Sequence, residues 1–370
     1  MTLYINDLDR PSQNIVKQWF TIRSIAPSTQ KVYICYMDQF VKYSNTTIYK
    51  LYNKSLKEQQ EQKPLEKRTL TKKILDYKYE MDNSNYAQTT KRLKMKVIIS
   101  FCRAFRLETP EIRQPKAVCE PKNYERRITK DEIKKMLNTS PLRERAFLSI
   151  QALTGMSSIE VRTLKVSDII TCINNELSTN YTTLKEVLSN KKEILNGHIY
   201  KIHLIRRKVN YRYITFIPPE TMNNIIEYLQ YRTQQTNKTR ISLYDDDLIF
   251  RTIDGNSMNS RTVTGMYREM GKKVGFQNEP NTYRFWRSHN IRKYFYNIVE
   301  ETVGQVYADE WLGHIPSQVT QAYARRENRM KQAYKRCLPI LTLESEAELS
   351  DVEEQLKILE DEIRKLMKTL

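Results

Sequence analysis

Residues 289–323 read HNIRKYFYNIVEETVGQVYADEWLGHIPSQVTQAY, and the interpretation of the chain starts from this stretch. His289 stands three residues before Arg292, and His314 follows a Leu-Gly pair. The stretch ends at Tyr323, nine residues after His314. Guanidinium and imidazole groups donate hydrogen bonds to phosphate oxygens, and a Tyr hydroxyl can act as a nucleophile. The order of these residues therefore predicts a site that binds a phosphate group.

The charge of the whole chain also favours a polyanionic partner. Its 370 residues carry 62 Lys and Arg against 43 Asp and Glu, a formal net charge of +19. An excess of this size points to nucleic acid. An anionic membrane surface is the alternative, although no apolar run is long enough to span a bilayer and the N-terminus does not resemble a signal peptide.

Several other classes of protein are disfavoured by composition. The five Cys are scattered, which fits free thiols in a reducing compartment and not a disulfide scaffold or a zinc ribbon. The eight Gly form neither the dinucleotide-binding fingerprint nor a P-loop. We therefore expect chemistry that uses no bound nucleotide cofactor.

Helical patterns lie on both sides of a proline-rich segment. Residues 1–110 are predicted to form a helical DNA-binding domain, residues 111–125 an extended linker, and residues 126–340 a second domain. In the first domain, Ser28 is expected to cap a helix whose core positions include Val32. A second helix, over residues 86–105, has an apolar face and a basic face that either contacts DNA or is solvated.

The second domain combines helices with one small sheet. Thr129 and Glu132 form a capping box that opens a helix. Residues 197–218 change to strand-like runs joined near Asn210, and helices resume after Pro219. The predicted fold class is α+β, mostly α, with a small antiparallel sheet in the second domain.

Residues 344–370 differ in charge and pattern from the rest. They hold nine acids and four bases, and their apolar residues alternate at spacings of three and four. This heptad pattern predicts a coiled-coil-like C-terminal helix that pairs with a neighbouring protomer. A helix folded back on its own domain is the alternative. The apolar positions are Leu349, Val352, Leu356, Leu359, Ile363, Leu366 and Leu370.

Taken in order, these motifs resemble the tyrosine recombinase family, the phage-type and archaeal-type integrases. H-x-x-R, LGH and the Tyr nine residues on match the C-terminal signature of that family. Residues 154–161, TGMSSIEV, resemble its first box, and residues 206–216, RRKVNYRYITF, resemble the hairpin that presents its lysine. The resemblance covers most of residues 10–340.

The resemblance implies a role for each site residue. Tyr323 would attack the scissile phosphate and form a 3′-phosphotyrosyl link, with no metal, ATP or other cofactor. The nonbridging oxygens would be bound by Arg292, His289 and His314. Lys208 would protonate the leaving 5′-oxygen, and Glu160 would hold the cluster together.

Partners and biological role also follow from the resemblance. It implies double-stranded DNA at a specific attachment site, a tetrameric assembly on DNA aided by the C-terminal helix, and a place in the cytoplasm or nucleoid of a prokaryotic, including archaeal, host. The implied function is integration or excision of a mobile element, a virus or plasmid. Two alternatives remain, a type IB topoisomerase and a catalytically silent DNA-binding protein.

Ser157 departs from the family pattern, which has an Arg at this position, three residues before Glu160. Arg162 lies about 140° further around a helix and is not expected to substitute. Loss of one such donor costs roughly 10²–10³ in rate. The sequence therefore predicts impaired cleavage with DNA binding retained, and Ser157→Arg is expected to raise the yield of covalent complex.

Two other interpretations of the site residues stay open. His289 and His314 could be metal ligands together with Asp309 or Glu310, although the basic surroundings disfavour a cation. Lys208 could belong to a solvated basic hairpin rather than to a catalytic group.

Overall fold

The structure is a computed structural model of the chain. It describes residues 4–113, 126–236, 240–241, 247–278, 283–315 and 327–343. Tyr323, most of the predicted linker and the heptad segment lie outside the described residues. The chain divides into two compact units, Met1–Glu120 and Pro121–Leu370, and each has its own apolar core. The finer domain limits given above stay predictions.

The first unit consists of helices joined by short turns, with a core of aromatic and aliphatic side chains. Trp19 is fully buried and meets Phe101 edge to face, with ring centroids 5.3 Å apart. The helices are α1 (Arg10–Ile22), α2 (Pro27–Tyr43), α3 (Ile48–Gln60), α4 (Thr69–Asn83) and α5 (Gln88–Ala104), and 3₁₀ turns occur at Ile5–Asp7 and Leu65–Lys67.

Helix α2 differs from the prediction in its start and in the phase of its buried face. It begins at Pro27 and its N-cap is Ala26, so the prediction that Ser28 caps it is wrong. Proline suits the first helical position because its fixed φ is helical and its missing N–H would be unpaired there anyway. Val32 is exposed. The buried side chains are Tyr33, Ile34, Met37, Phe40 and Val41.

Helix α5 has the predicted apolar face, but its bases do not all face solvent. Val97, Ile98 and Phe101 are fully buried. Lys94 is only 3% exposed, and its ammonium lies 3.7 Å from the centre of the Tyr86 ring. A cation over an aromatic face is attracted to its negative quadrupole. Lys94 therefore belongs to the packing of the first unit and not to its basic surface.

The predicted capping box at the start of the second unit is confirmed. Thr129 Oγ1 accepts from the Glu132 N–H at 3.3 Å, and Glu132 Oε2 accepts from the Thr129 N–H at 3.0 Å. The helix that it opens is α6. The helices before the hairpin are α6 (Lys130–Asn138), α7 (Leu142–Thr154), α8 (Ser158–Arg162), α9 (Val166–Leu177), α10 (Leu184–Ser189) and α11 (Lys191–Ile194).

Helix α7 lies at the centre of the second unit. All nine residues from 146 to 154 are buried, as expected of a helix covered on every side. It packs against two of the later helices, α12 and α14. The helices after the hairpin are α12 (Pro219–Gln234), α13 (Ser260–Lys273), α14 (Ser288–Val303), α15 (Gln305–Trp311) and α16 (Glu327–Leu341). Within the described residues, no helix is both long and apolar enough to cross a membrane.

The predicted hairpin is confirmed. Strand β1 (Tyr200–Arg206) pairs antiparallel with β2 (Tyr211–Ile217), and Arg206 stands opposite Tyr211. Asn210 closes the turn with a φ of 50°, a left-handed value that Asn tolerates better than most residues. Successive side chains of a strand point to opposite faces. Arg206 therefore shares the face of Tyr200 and Ile202, which are buried in the core.

Candidate active site

The candidate site forms where α8, the hairpin, α14 and the loop after α15 meet. Helix α7 ends at Thr154, and its C-cap is Gly155, whose φ of 71° is left-handed; the chain turns there into α8. A Cβ at Gly155 would lie 2.4 Å from a carbon of the Phe295 ring. Only glycine satisfies both the backbone conformation and the close approach of α14. This turn brings the residues of the first box beside α14.

Arg292 is the centre of the site. It lies on α14, one turn after His289, and only 9% of it is exposed. Its guanidinium donates to the carbonyl oxygens of Gly155 and Leu312, each at 2.6 Å, and Nη1 lies 3.4 Å from Glu160 Oε2. One side chain therefore joins the first box to the Leu-Gly-His segment.

Glu160 balances the buried charge of Arg292. It is 8% exposed, and its Oε2 also accepts the Ser157 N–H at 2.6 Å. Burial lowers the pKa of Arg292, and the negative charge of Glu160 acts in the opposite direction. A buried charge is expensive unless a partner offsets it. Glu160 is therefore a positioning residue that holds both Arg292 and the start of α8.

His314 is oriented by a carboxylate that the sequence analysis considered only as a metal ligand. Its Nδ1 lies 2.6 Å from Asp309 Oδ1, and its backbone N–H donates to the Asp309 carbonyl at 2.8 Å. An imidazole whose Nδ1–H is held by a carboxylate presents Nε2 on its opposite side. The left-handed Gly313, with a φ of 64°, makes the turn that places His314 next to Leu312.

Arg206 is a second guanidinium at the site, and the sequence analysis did not single it out. Its Nη1 donates to the carbonyl oxygens of Leu312 at 3.1 Å and Gly313 at 3.0 Å. The Tyr213 ring lies behind this segment, because a Cβ at Gly313 would come within 2.7 Å of it. Strand alternation could have found Arg206, since it continues the inward face of β1 one step beyond Leu204.

The other predicted residues occupy more exposed positions around this cluster. His289 is exposed in the first turn of α14, and Lys208 is exposed in the turn between the strands. Ser157 stands immediately before α8 and is half-buried. Arg162 points elsewhere and donates to the Met258 carbonyl at 3.0 Å. Tyr323, the predicted nucleophile, lies outside the described residues.

The open alternative of a metal site receives no support from the side chains whose positions are described. No three His, Cys, Asp or Glu among those residues converge as metal ligands would. Glu310, one of the proposed ligands, instead accepts from the Tyr211 hydroxyl at 3.1 Å. Its carboxylate thereby ties α15 to β2.

The second unit is mostly helical with a small antiparallel sheet, and its site gathers two guanidinium groups and an imidazole in one cluster. The sequence model of the phage integrase family matches residues 126–330, more than half of the chain. The chain therefore belongs to this family, the tyrosine recombinases. The expected family and the expected α+β, mostly helical fold class are both confirmed. Family membership supports site-specific recombination by DNA cleavage and rejoining as the general activity.

Solved structures with the same fold include two DNA complexes. The Tn1549 transposon integrase with circular intermediate DNA has a TM-score of 0.53 and 11% identity, over 87% of this chain and 98% of that chain. A lambda integrase tetramer bound to a Holliday junction has a TM-score of 0.50 and 15% identity, over 84% of this chain and 76% of that chain. No curated protein matches the chain. Likeness at these identities shows the fold alone.

Proposed function

We propose that this chain is a site-specific recombinase that cuts and rejoins double-stranded DNA through a covalent link to Tyr323. The observation that carries the proposal is the cluster around Arg292, in which the first box, the hairpin and the Leu-Gly-His segment share hydrogen bonds. Family membership over residues 126–330 puts that cluster in a DNA-recombining family. The role of Tyr323 in this mechanism is argued from its spacing to His314 in the sequence.

The proposed reaction needs no external energy source because each step makes one phosphorus–oxygen bond and breaks another. The Tyr323 oxygen bonds to the scissile phosphorus and gives its proton to water, while the bond from phosphorus to the 5′-oxygen breaks. The 5′-oxygen takes a proton from the Lys208 ammonium and leaves as a hydroxyl. A 5′-hydroxyl of a second strand then attacks the phosphotyrosine and gives its proton to the neutral Lys208 amine, and the bond from phosphorus to the Tyr323 oxygen breaks. The released Tyr323 oxygen takes a proton from water.

The side chains around Arg292 supply donors for the charge that builds on the nonbridging oxygens. A guanidinium binds such oxygens through two parallel N–H groups, and its value is greatest where water is excluded. Arg292, His289 and His314 are the proposed donors. Glu160 contacts Arg292, and its negative charge would repel a phosphate, so its proposed role is positional.

DNA binding and assembly form the wider part of the proposal. We propose an attachment site in duplex DNA as the target, with affinity that falls steeply with salt because phosphate contacts release counterions. Strand exchange requires several active sites, and the heptad segment 344–370 is the proposed contact between protomers. The proposed biological role is integration or excision of a viral or plasmid element in the nucleoid of a prokaryotic, including archaeal, host.

Covalent capture tests the proposal and identifies the target sequence in the same experiment. A pool of nicked duplexes with randomised sequence is incubated with the chain, and DNA attached to protein is recovered under denaturing conditions. The nick releases the short fragment that carries the 5′-hydroxyl, so the link cannot be reversed. A recombinase is expected to enrich one sequence and to exchange strands between two duplexes that contain it.

The two alternatives give different results in the same experiment. A type IB topoisomerase would relax supercoiled plasmids that lack the enriched sequence and would not exchange strands. A catalytically silent binder would retain DNA in a gel shift and form no adduct with any sequence. Either outcome would overturn the proposed function.

Asp309→Ala is expected to slow formation of the covalent adduct about 10- to 100-fold, because His314 loses the carboxylate that fixes its orientation. DNA affinity should stay the same, since Asp309 carries the wrong charge to contact phosphate. Rates are measured at saturating protein. Asp254→Ala, which removes an exposed carboxylate of the same unit, is the control. Equal rates in both variants would show that the Asp309 contact has no role in the reaction.

A further inference from the structure

Two guanidinium groups meet at a single backbone oxygen in the candidate site. Arg292 Nη2 donates to the Leu312 carbonyl at 2.6 Å, and Arg206 Nη1 donates to the same oxygen at 3.1 Å. Because both nitrogens bond to the same oxygen, the distance between them cannot exceed the sum of the two hydrogen-bond lengths. Two positive charges this close repel each other. An anion that binds between the two guanidinium groups would therefore be stabilised by both.

The two arginines differ in what they leave available. Arg292 is buried, and it donates from Nη1 to Gly155 and Glu160 and from Nη2 to Leu312. Arg206 is half-buried, and its only bonds within the described residues are the two from Nη1 to carbonyl oxygens. A guanidinium carries five N–H donors. Nε and Nη2 of Arg206 therefore have no partner in the described part of the chain. Of the two arginines, only Arg292 forms an ion pair with Glu160.

Ser157 provides the second, independent observation. The family pattern has an arginine at this position, and serine offers no cation there. Strand β1, which ends at Arg206, packs against α8, which begins just after Ser157. The cation that the first box lacks is thus found on the neighbouring strand, beside the same Arg292 that the first box contacts through Gly155.

We propose that Arg206 binds the scissile phosphate together with Arg292, and that it supplies from the hairpin the charge that the serine at 157 does not. This inference rests on the proposed recombinase function. It differs from the assignment of Lys208, which lies two residues further on in the turn and acts on the leaving oxygen. Arg207 is exposed in the turn after β1, and Arg162 donates to the Met258 carbonyl.

A purely structural role for Arg206 makes a different prediction. In that case Arg206 would only fasten the hairpin to the Leu-Gly-His loop, and a new arginine at 157 could not replace it. The decisive variants are therefore Arg206→Ala, Arg206→Lys, Ser157→Arg and the double variant Arg206→Ala with Ser157→Arg. Arg207→Ala is the matched control, since it removes the neighbouring guanidinium, which is exposed in the turn.

Adduct formation on the captured duplex is measured at saturating protein, and DNA affinity and thermal unfolding are measured for every variant. Arg206→Ala is expected to lower the adduct rate about 10²- to 10³-fold, the typical cost of losing one donor to a developing oxyanion. Arg206→Lys should retain part of the rate, and Arg207→Ala should stay close to the unmodified chain. Ser157→Arg should raise the rate at least tenfold in the Arg206→Ala background, and by less in the unmodified chain.

Each outcome decides between defined possibilities. No adduct from the unmodified chain would overturn the proposed function. An adduct that Arg206→Ala forms as fast as Arg207→Ala would overturn the inference alone. If Arg206→Ala lowers the melting temperature, and Ser157→Arg in that background restores neither the adduct rate nor the stability, Arg206 serves only to hold the hairpin against the Leu-Gly-His loop. The inference is then also overturned.

Discussion

Tyr323→Phe is expected to abolish the covalent protein–DNA adduct and to leave DNA binding close to that of the unmodified chain. The substitution removes one oxygen atom, which is the proposed nucleophile, and keeps the ring. No second hydroxyl is proposed to take its place, so no adduct should be detected. In other enzymes, removal of the catalytic nucleophile lowers the rate by up to about 10⁶. The adduct is measured on denaturing gels with the captured nicked duplex, and binding by gel shift.

Tyr296→Phe is the matched control for this experiment. The Tyr296 ring centre lies 6.5 Å from that of His314, so this tyrosine is beside the site. Its hydroxyl contacts Glu300 at 3.3 Å at the surface. Tyr296→Phe should form adduct at the normal rate. An adduct that persists in Tyr323→Phe and disappears in Tyr296→Phe would move the nucleophile to another position and end the assignment based on sequence spacing.

The sequence correctly predicted those parts of the fold that depend on residues close together in the chain. The capping box at Thr129 depends on two side chains three residues apart, and it is present. The hairpin depends on β-branched and aromatic runs and a residue that accepts a left-handed turn, and Asn210 provides that turn. Such features can be recognised in a sequence because all the interacting residues lie within a few positions of one another.

The errors arose where the partner of a residue is distant in sequence. The phase of α2 was taken from Val32, but the face that packs is decided by the other helices of the unit, and that face is centred on Ile34, Met37 and Val41. The basic face predicted for residues 86–105 includes Lys94, but the ammonium of this residue lies over the Tyr86 ring and is buried. Periodicity reports amphipathicity and does not say which polar group a fold will bury.

The candidate site shows the same division. The spacing of His289, Arg292 and His314 identified the segment, and the contact of Glu160 with Arg292 was foreseen only as a supporting role. Arg206 lies more than one hundred residues before Leu312, whose carbonyl it binds. Its inward direction follows from strand alternation, but its partner does not. The proposal that Arg206 supplies the positive charge missing at Ser157 could therefore be made only from the fold.

Arg292→Met is expected to destabilise the second unit by about 3–5 kcal/mol, because it leaves the Glu160 carboxylate buried without its cation. Glu160→Gln should cost less, about 1–3 kcal/mol, since Arg292 keeps its two carbonyl partners. The double variant should be more stable than Arg292→Met alone, because no unpaired charge remains in the interior. Hydrogen exchange of peptides from α14 in the full chain measures the free energy of opening of this region.

The double variant also separates the structural role of Arg292 from its proposed catalytic role. Part of the stability should return when Glu160 is neutralised, but the adduct should not, because the guanidinium that binds phosphate is still missing. Lys293→Met, an exposed change on the next residue of α14, should affect stability little. If the double variant recovers the adduct together with its stability, Arg292 serves only to hold Glu160 and the loops around it. In that case the phosphate must be bound by other donors, and Arg206, His289 and His314 are the remaining candidates.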